Sequence, residues 1–504
     1  MKTVGIRKWL AFGAVIVAVF SAGLDATILS IALPTLAHSL NASEANLQWF
    51  TSGYLLAMAV AMLPAGLLGD RVGRKKILTA ALLLFGAGSI GCAFATSAEW
   101  FIAARILLGI ASAGIIVMAV SALTVLFSPE ERPRAVGIWG VANFLSLPIG
   151  PILGGWILTH FWWGWVFLLN VPVSLLGFIA VVILVPETKS QNKPGLDPAG
   201  IITSAIGLAA ITYGLIRAGQ FGWSDSSSLL FIAAGAIIAI GFYSWELWLT
   251  KRGLKPIIDI TLFHSANFTW GVLLLAILVL AMTGVLFTLP QYFQGVSGMD
   301  PMTTGYQLLP LVGGLIVGSV PAPYLTRLIT AKLSASFGFL LLAIGALFGA
   351  ATQIHSASIY IAGWTALIGV GLGITLTTTV SAALSELSEE RSGVGAAVMQ
   401  SLQKIGGPFG AAILGSALNN GYLNHLQLNG LPKAIADLVR QSLFGGIEAA
   451  AITHSPSLLI MAQNAFVQGM DFALDITGAI ALAGVLLALI FLPAQKTFVK
   501  SAAQ

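Results

Sequence analysis

Two ionisable residues, Asp25 and Arg105, stand inside apolar runs long enough to cross a bilayer: LDATILSIALP (24–34) and RILLGIASAG (105–114). A carboxylate in apolar surroundings can hold a proton, and a cation beside it favours release. Asp25 comes 16 residues after Trp9, about 24 Å of helix. Arg105 enters its own run from the opposite side, a turn or two past Trp100, so the two fall at similar depth. Such a pair could take up and discharge protons; the structural alternative is a static ion pair that only fixes helix packing. Two further intramembrane charges, Lys404 and Asp475, form either a second polar site or a packing pair. Tyr54 and Asn143 are candidate substrate contacts on inward-facing helix surfaces. Asp70 is followed by Arg71, Arg74, Lys75 and Lys76, with glycines at 66, 69 and 73. Those glycines suit a tight turn and close helix approach.

The elements that must position these residues follow from composition. Of 504 residues, 57% are hydrophobic and 9% charged, with a mean hydropathy of +0.93. Soluble domains run near a quarter charged, so a soluble enzyme is excluded. Cys92 is the only cysteine and the six histidines are scattered, which leaves no expected metal site. No GxxxxGK[ST] occurs, and GVGLG (369–373) lies inside an apolar run, so neither nucleotide nor other cofactor is expected. The first apolar run spans a bilayer and has no clear cleavage site, which argues against a cleaved leader.

At roughly 20 apolar residues per crossing, fourteen spans are expected: 9–36, 46–68, 77–96, 99–126, 135–158, 164–186, 198–217, 228–249, 266–290, 303–326, 333–352, 358–385, 393–417 and 470–494. With both ends cytoplasmic, 19 Lys and Arg fall on the inner side, and only Lys433 and Arg440 in outer loops. That asymmetry follows the positive-inside rule. Trp162, Trp163 and Trp165 form an outer aromatic belt, and an outer loop of about 418–469 contains the amphipathic stretch LPKAIADLVRQSL. Glu246 and Glu386 are expected to be solvated at cytoplasmic helix ends.

PIGPILGG (148–155) in the fifth span and IGGPFGAAILG (405–415) in the thirteenth share a Gly-Pro step among small residues. Parallel six-helix repeats with a midplane site are a transporter architecture. The expected fold is an all-α polytopic membrane protein of fourteen helices in a 6+2+6 order. Its parts would be an N-terminal bundle 1–187, a linker with two inserted helices 188–262, and a C-terminal bundle 263–504.

GLLGDRVGRKKIL (66–78) resembles the signature loop of the major facilitator superfamily, and LDATILSIALP the first-helix motif of its fourteen-helix drug:proton antiporters. RILLGIASAG and SLPIGPILGG (146–155) are similar to the family's fourth-helix arginine motif and its antiporter motif. Ser146 stands where that last motif usually begins with glycine, and Leu108 replaces a usual polar residue. The resemblance implies that Gly66, Gly69, Asp70, Arg71, Gly73 and Arg74 form a conformational-switch loop holding the outward-facing state. It implies that Gly150, Pro151, Gly154 and Gly155 let the fifth helix bend and pack closely. It also implies a bacterial, multi-pass plasma-membrane protein. Some fourteen-helix relatives carry an acid in the tenth helix, and 305–325 has none.

Without a nucleotide site, transport must draw on an ion gradient. A proton entering under roughly 150 mV yields about 3.5 kcal/mol, a few hundredfold in concentration. The function expected is proton-coupled export of hydrophobic, cationic drugs or dyes from the cytoplasm, with protons, small substrates and the bilayer as partners and no nucleic acid. Export of a lipid or endogenous metabolite is the alternative on the same fold. A membrane-embedded lipid-linked transferase is the alternative from another class; it would need acids or histidines clustered in a long loop, which the chain lacks.

Overall fold

In lipid every backbone polar group must be satisfied within the protein, so continuous apolar runs fold as helices. The computed structural model describes residues 2–40, 42, 44–190, 197–252, 254, 260–385, 387, 392–428 and 430–494, and among them no strand occurs. The first group of helices is α1 (Lys2–Ser39), α2 (Glu44–Val72), α3 (Arg74–Ala93), α4 (Ala98–Leu126), α5 (Arg132–His160), α6 (Trp165–Leu168) and α7 (Asn170–Leu184). A hairpin of α8 (Pro198–Phe221) and α9 (Ser226–Lys251) follows. Then come α10 (Ala266–Gln291), α11 (Pro301–Gln307), α12 (Leu309–Ser319), α13 (Ala322–Ile329), α14 (Ala331–Gly349), α15 (Ser358–Ser385) and α16 (Ser392–Asn424). The last are α17 (Lys433–Gln441), α18 (Leu443–Ile452) and α19 (Pro456–Phe491). Side chains of Ser97, Asp225, Ser265, Asp300, Ser442 and Ser455 cap helix starts.

Among the described residues twelve helices are long and apolar enough to cross a membrane, and the pair Met302–Ser319 and Ala322–Ile329, bent by 44°, makes thirteen when taken as one broken span. Three elements differ from the expectation. The tenth span is broken into α11, α12 and α13, because Pro310, Pro321 and Pro323 each remove a backbone donor. α16 is 33 residues long, yet Gln400, Gln403, Lys404, Asn419 and Asn420 keep it outside the apolar group. α19 begins at Pro456, not near 470, so the expected outer loop shrinks to 425–455 and contains α17 and α18. Its first turns carry Gln463, Asn464 and Gln468, which masked the helix from a search for apolar runs.

α1 packs on α5 and α7, α2 on α4, and α3 on α4 and α7. On the other side α15 packs on α10, α12 and α14, and α19 on α10, α14 and α16. The two groups meet where α2 and α4 lie on α16, and where α5 lies on α11, α12 and α15. α8 touches both α2 and α16, so the hairpin is part of the wall, not a detached spacer. GVGLG finds its physical meaning here. Gly369 and Gly373 of α15 sit against backbone carbonyls of Leu311 and Leu315, while Gly314 and Gly318 of α12 sit against those of Ala366 and Val370. Small residues four apart on both helices allow this approach.

Candidate proton-coupling network and substrate cavity

Asp25 of α1 and Arg105 of α4 meet in the interior. Arg105 Nη1 donates to Asp25 Oδ2 at 2.5 Å, and the two residues are 2% and 1% exposed. Arg105 Nε donates to the Phe50 carbonyl of α2 at 2.9 Å. Asn170, at the start of α7, donates to Asp25 Oδ1 at 3.1 Å. The guanidinium lies over the Tyr54 ring, 4.4 Å from its centroid, and the Tyr54 hydroxyl donates to Ser112 Oγ at 3.0 Å. Four helices thus converge on one ion pair. Removing either charge would strand the other, which costs about 3–5 kcal/mol in such burial. A proton on Asp25 would cancel its charge and weaken its hold on Arg105.

A second cluster closes one end of the bundle. Asp70 Oδ1 accepts from Arg74 Nη2 at 2.6 Å and from the Gly393 amide at 2.9 Å; Asp70 Oδ2 accepts from the Val394 amide at 2.8 Å. The carboxylate therefore caps α16 from the opposite group of helices, meeting the positive end of its dipole. Gly66 permits the approach, since a Cβ there would sit 2.6 Å from the Gly393 carbonyl. Gly69 lies against Met118. Gly73, at φ +133°, turns the chain between α2 and α3. Arg71 is half-buried in the last turn of α2. At the same end Arg132 Nη1 donates to the Leu384 carbonyl at 3.0 Å, and Nη2 to the Thr124 carbonyl at 3.0 Å, capping α15 and α4 together. Lys8 pairs with Glu131 at 2.5 Å and holds that carboxyl below its usual range.

In α5, a Cβ on Gly150 would overlap the Thr27 hydroxyl of α1, so this glycine is needed for the fit of α5 on α1. Gly154 is buried and Pro151 half-buried. A Cβ on Gly155 would meet Met302 at 3.9 Å, an ordinary contact, so this position is less constrained than Gly150. Ser146 fills the place of the usual glycine: its hydroxyl packs on Gly23, and its carbonyl accepts from Thr27 at 3.0 Å.

A cavity of about 1190 Å³ lies between α2, α8, α10 and α16, with the α17–α18 segment at its far end from Asp70. Leu55, Met58 and Ala59 line it from α2, on the helix whose Tyr54 serves the ion pair. Trp223, in the α8–α9 turn, lines it too and donates to the Ala412 carbonyl at 3.3 Å. Asp225 fixes that turn; hydrogen bonds from Arg217, then Ser228, push its carboxyl down to about 2.

Several expected contacts fall elsewhere. Lys404 lines the cavity, but Asp475 is exposed on α19, and no ion pair joins them among the described residues. Tyr54 belongs to the charge network. Asn143 bonds within its own helix, to the Trp139 carbonyl at 3.1 Å. Glu246 is buried in α9 at 1% exposure, not solvated, and Glu386 lies outside the described residues. Asn170, Ser112 and the capping role of Arg132 were not anticipated. Asn170 follows a cluster of interfacial aromatics and reads as part of it, and Arg132 reads as one more inner-side charge. No group of three or more His, Cys, Asp or Glu that could hold a metal occurs among the described residues.

The chain is 31% identical over 496 residues to the tetracenomycin C resistance and export protein of Streptomyces glaucescens, covering 96% of this chain and 91% of that one. It is 29% identical over 487 residues to the methyl viologen resistance protein SmvA of Salmonella typhimurium, with 94% and 96% covered. It is 28% identical over 480 residues to the multidrug efflux pump LfrA of Mycolicibacterium smegmatis, with 92% of each covered. In fold it is similar to the proton:xylose symporter XylE, at a TM-score of 0.65 and 16% identity, over 97% of this chain and 96% of that one. Relatives of this kind and a dozen membrane-long apolar helices make it a multi-pass transporter of a bacterial plasma membrane. Residues 15–411 match the family model described as Major Facilitator Superfamily, and the chain belongs to that superfamily.

Proposed function

We propose that this protein is a proton-coupled antiporter that exports hydrophobic small molecules from the cytoplasm, with Asp25 as the proton-carrying group. The observation that carries this reading is the buried Asp25–Arg105 pair one helix away from the cavity. Asp25 is not among the cavity-lining residues, so proton and cargo would not compete for one carboxylate. Instead α2 connects them: Phe50 and Tyr54 face the ion pair, and Leu55, Met58 and Ala59 face the cavity. Protonation of Asp25 would loosen Arg105 from α1, and the shift of α2 would change its seating on α16. The Asp70 and Arg132 caps then hold the outward-facing state. A cationic cargo would find no carboxylate among the described residues of the cavity wall; an endogenous metabolite or lipid fits the apolar walls as well as a drug does.

In this reading α16 also crosses, as the thirteenth span along the chain, and brings the number to fourteen; both termini are cytoplasmic, and the limits 1–187, 188–262 and 263–504 mark the 6+2+6 parts. The clustering of Lys8, Arg74 and Arg132 at the Asp70 end supports placing that end in the cytoplasm. The test is efflux from proteoliposomes under an imposed pH gradient. Export that collapses with a protonophore is the expected result; export indifferent to it would overturn the proton coupling.

A further inference from the structure

Among the described residues lining the cavity, two have ionisable side chains, Lys404 and Arg440, and both are basic. Arg440 is exposed on α17 and is already held by Asp437 at 3.1 Å. Lys404 has no ion pair or hydrogen bond among the described residues. It lies 12 residues into α16, about 18 Å from its start and near mid-span, where a lone charge is costly and seldom idle. The cavity it lines also has apolar and aromatic walls, including Trp223, Phe287 and Phe466, and neutral hydrogen-bonding groups such as Gln291 and Ser416.

We propose that Lys404 is an anion-binding subsite, and that the cavity takes amphipathic organic acids: ring systems bearing one ionised carboxylate, sulfonate or phenolate. The inference rests on reading the cavity as the substrate site of an exporter. The ring would cover apolar wall, and the acid would supply the counter-charge Lys404 lacks; charge-assisted hydrogen bonds are the strong ones where water is scarce. A cationic ring system of the same size would meet Lys404 with nothing to offset the repulsion. Energetics agree in sign. Under an inside-negative potential, exit of an anion and entry of a proton both run downhill, so one cycle draws twice on the potential.

The test uses the full chain in zwitterionic lipid nanodiscs and three matched fluorescent probes: 9-anthracenecarboxylate, 9-anthracenemethanol and 9-(aminomethyl)anthracene. Binding is read by energy transfer from tryptophan, with empty nanodiscs subtracted. Wild type should bind the carboxylate about tenfold tighter than the ammonium. Lys404→Gln should bring that ratio near one while leaving the neutral alcohol unchanged, which also reports folding; Lys404→Arg should keep the preference. A wild type that favours the ammonium, or fails to bind the carboxylate, overturns the proposal without any variant. So does a ratio unchanged in Lys404→Gln. Gradient-driven efflux is measured separately. Lost efflux with an intact ratio would overturn the exporter reading and leave the site standing, and efflux with no carboxylate preference would do the reverse.

Discussion

Asp70→Asn should open the Asp70 end of the bundle. The carboxylate makes two bonds that cross between the helix groups, to the amides of Gly393 at 2.9 Å and Val394 at 2.8 Å. Its bonds to Arg74 lie within one group and persist when the groups part. Hydrogen bonds to a charged group contribute about 1.5–3 kcal/mol each, and a neutral one about 1. Asparagine keeps one neutral acceptor and turns its NH₂ toward the other amide, leaving donor against donor. The closed state should lose about 2–3 kcal/mol, a population shift of roughly 30- to 150-fold. Spin labels at Val72 and Leu333, exposed residues on opposite groups at this end, would report it by pulsed electron resonance. The long-distance population should grow in Asp70→Asn. An unchanged distribution would refute the reasoning and reduce the loop to a topology signal.

Gly66→Val should shift the same distances with Asp70 intact, because its Cβ would fall 2.5 Å from that of Ala397. Arg105→Ala should lower thermal stability by about 3–5 kcal/mol by stranding Asp25, and adding Asp25→Asn should restore part of it; equal melting of both variants would deny the coupling. Asp225, held at about 2 chiefly by Arg217, stabilises the α9 start above its usual titration range. That stability is lost only as pH falls through about 2. Amide exchange at Ser228, corrected for intrinsic rate, should therefore be flat from pH 8 to 5, and Asp225→Ala, which removes the capping oxygen, should raise it severalfold.

Charges were the legible part of this molecule. Asp25 and Arg105 interrupt apolar runs, and counting residues from each helix end places them at one depth, where they do pair. Asp70 with its glycines was legible as a tight loop, because Gly66 and Gly73 have no other reason to recur there. What spacing could not supply was helix phase. Lys404 lies near the middle of its apolar run and Asp475 in the outer part of the last one, yet one faces a cavity and the other faces outward, and only packed neighbours settle that. Asn170 looked interfacial because its partner is 145 residues away in sequence. α19 began early because Gln463 spends its amide on the Gly295 and Val296 carbonyls, a tertiary bond that makes a polar turn cost little.

The central claim is that Asp25 carries the coupled proton, and transport by Asp25→Asn tests it most directly. Asparagine is close in size to the protonated acid and cannot ionise. In proteoliposomes the variant should bind cargo and still exchange it across the membrane when cargo is present on both sides. A pH gradient should drive no net export. Net, gradient-driven export at the wild-type rate by Asp25→Asn would contradict the account and leave the ion pair a packing element.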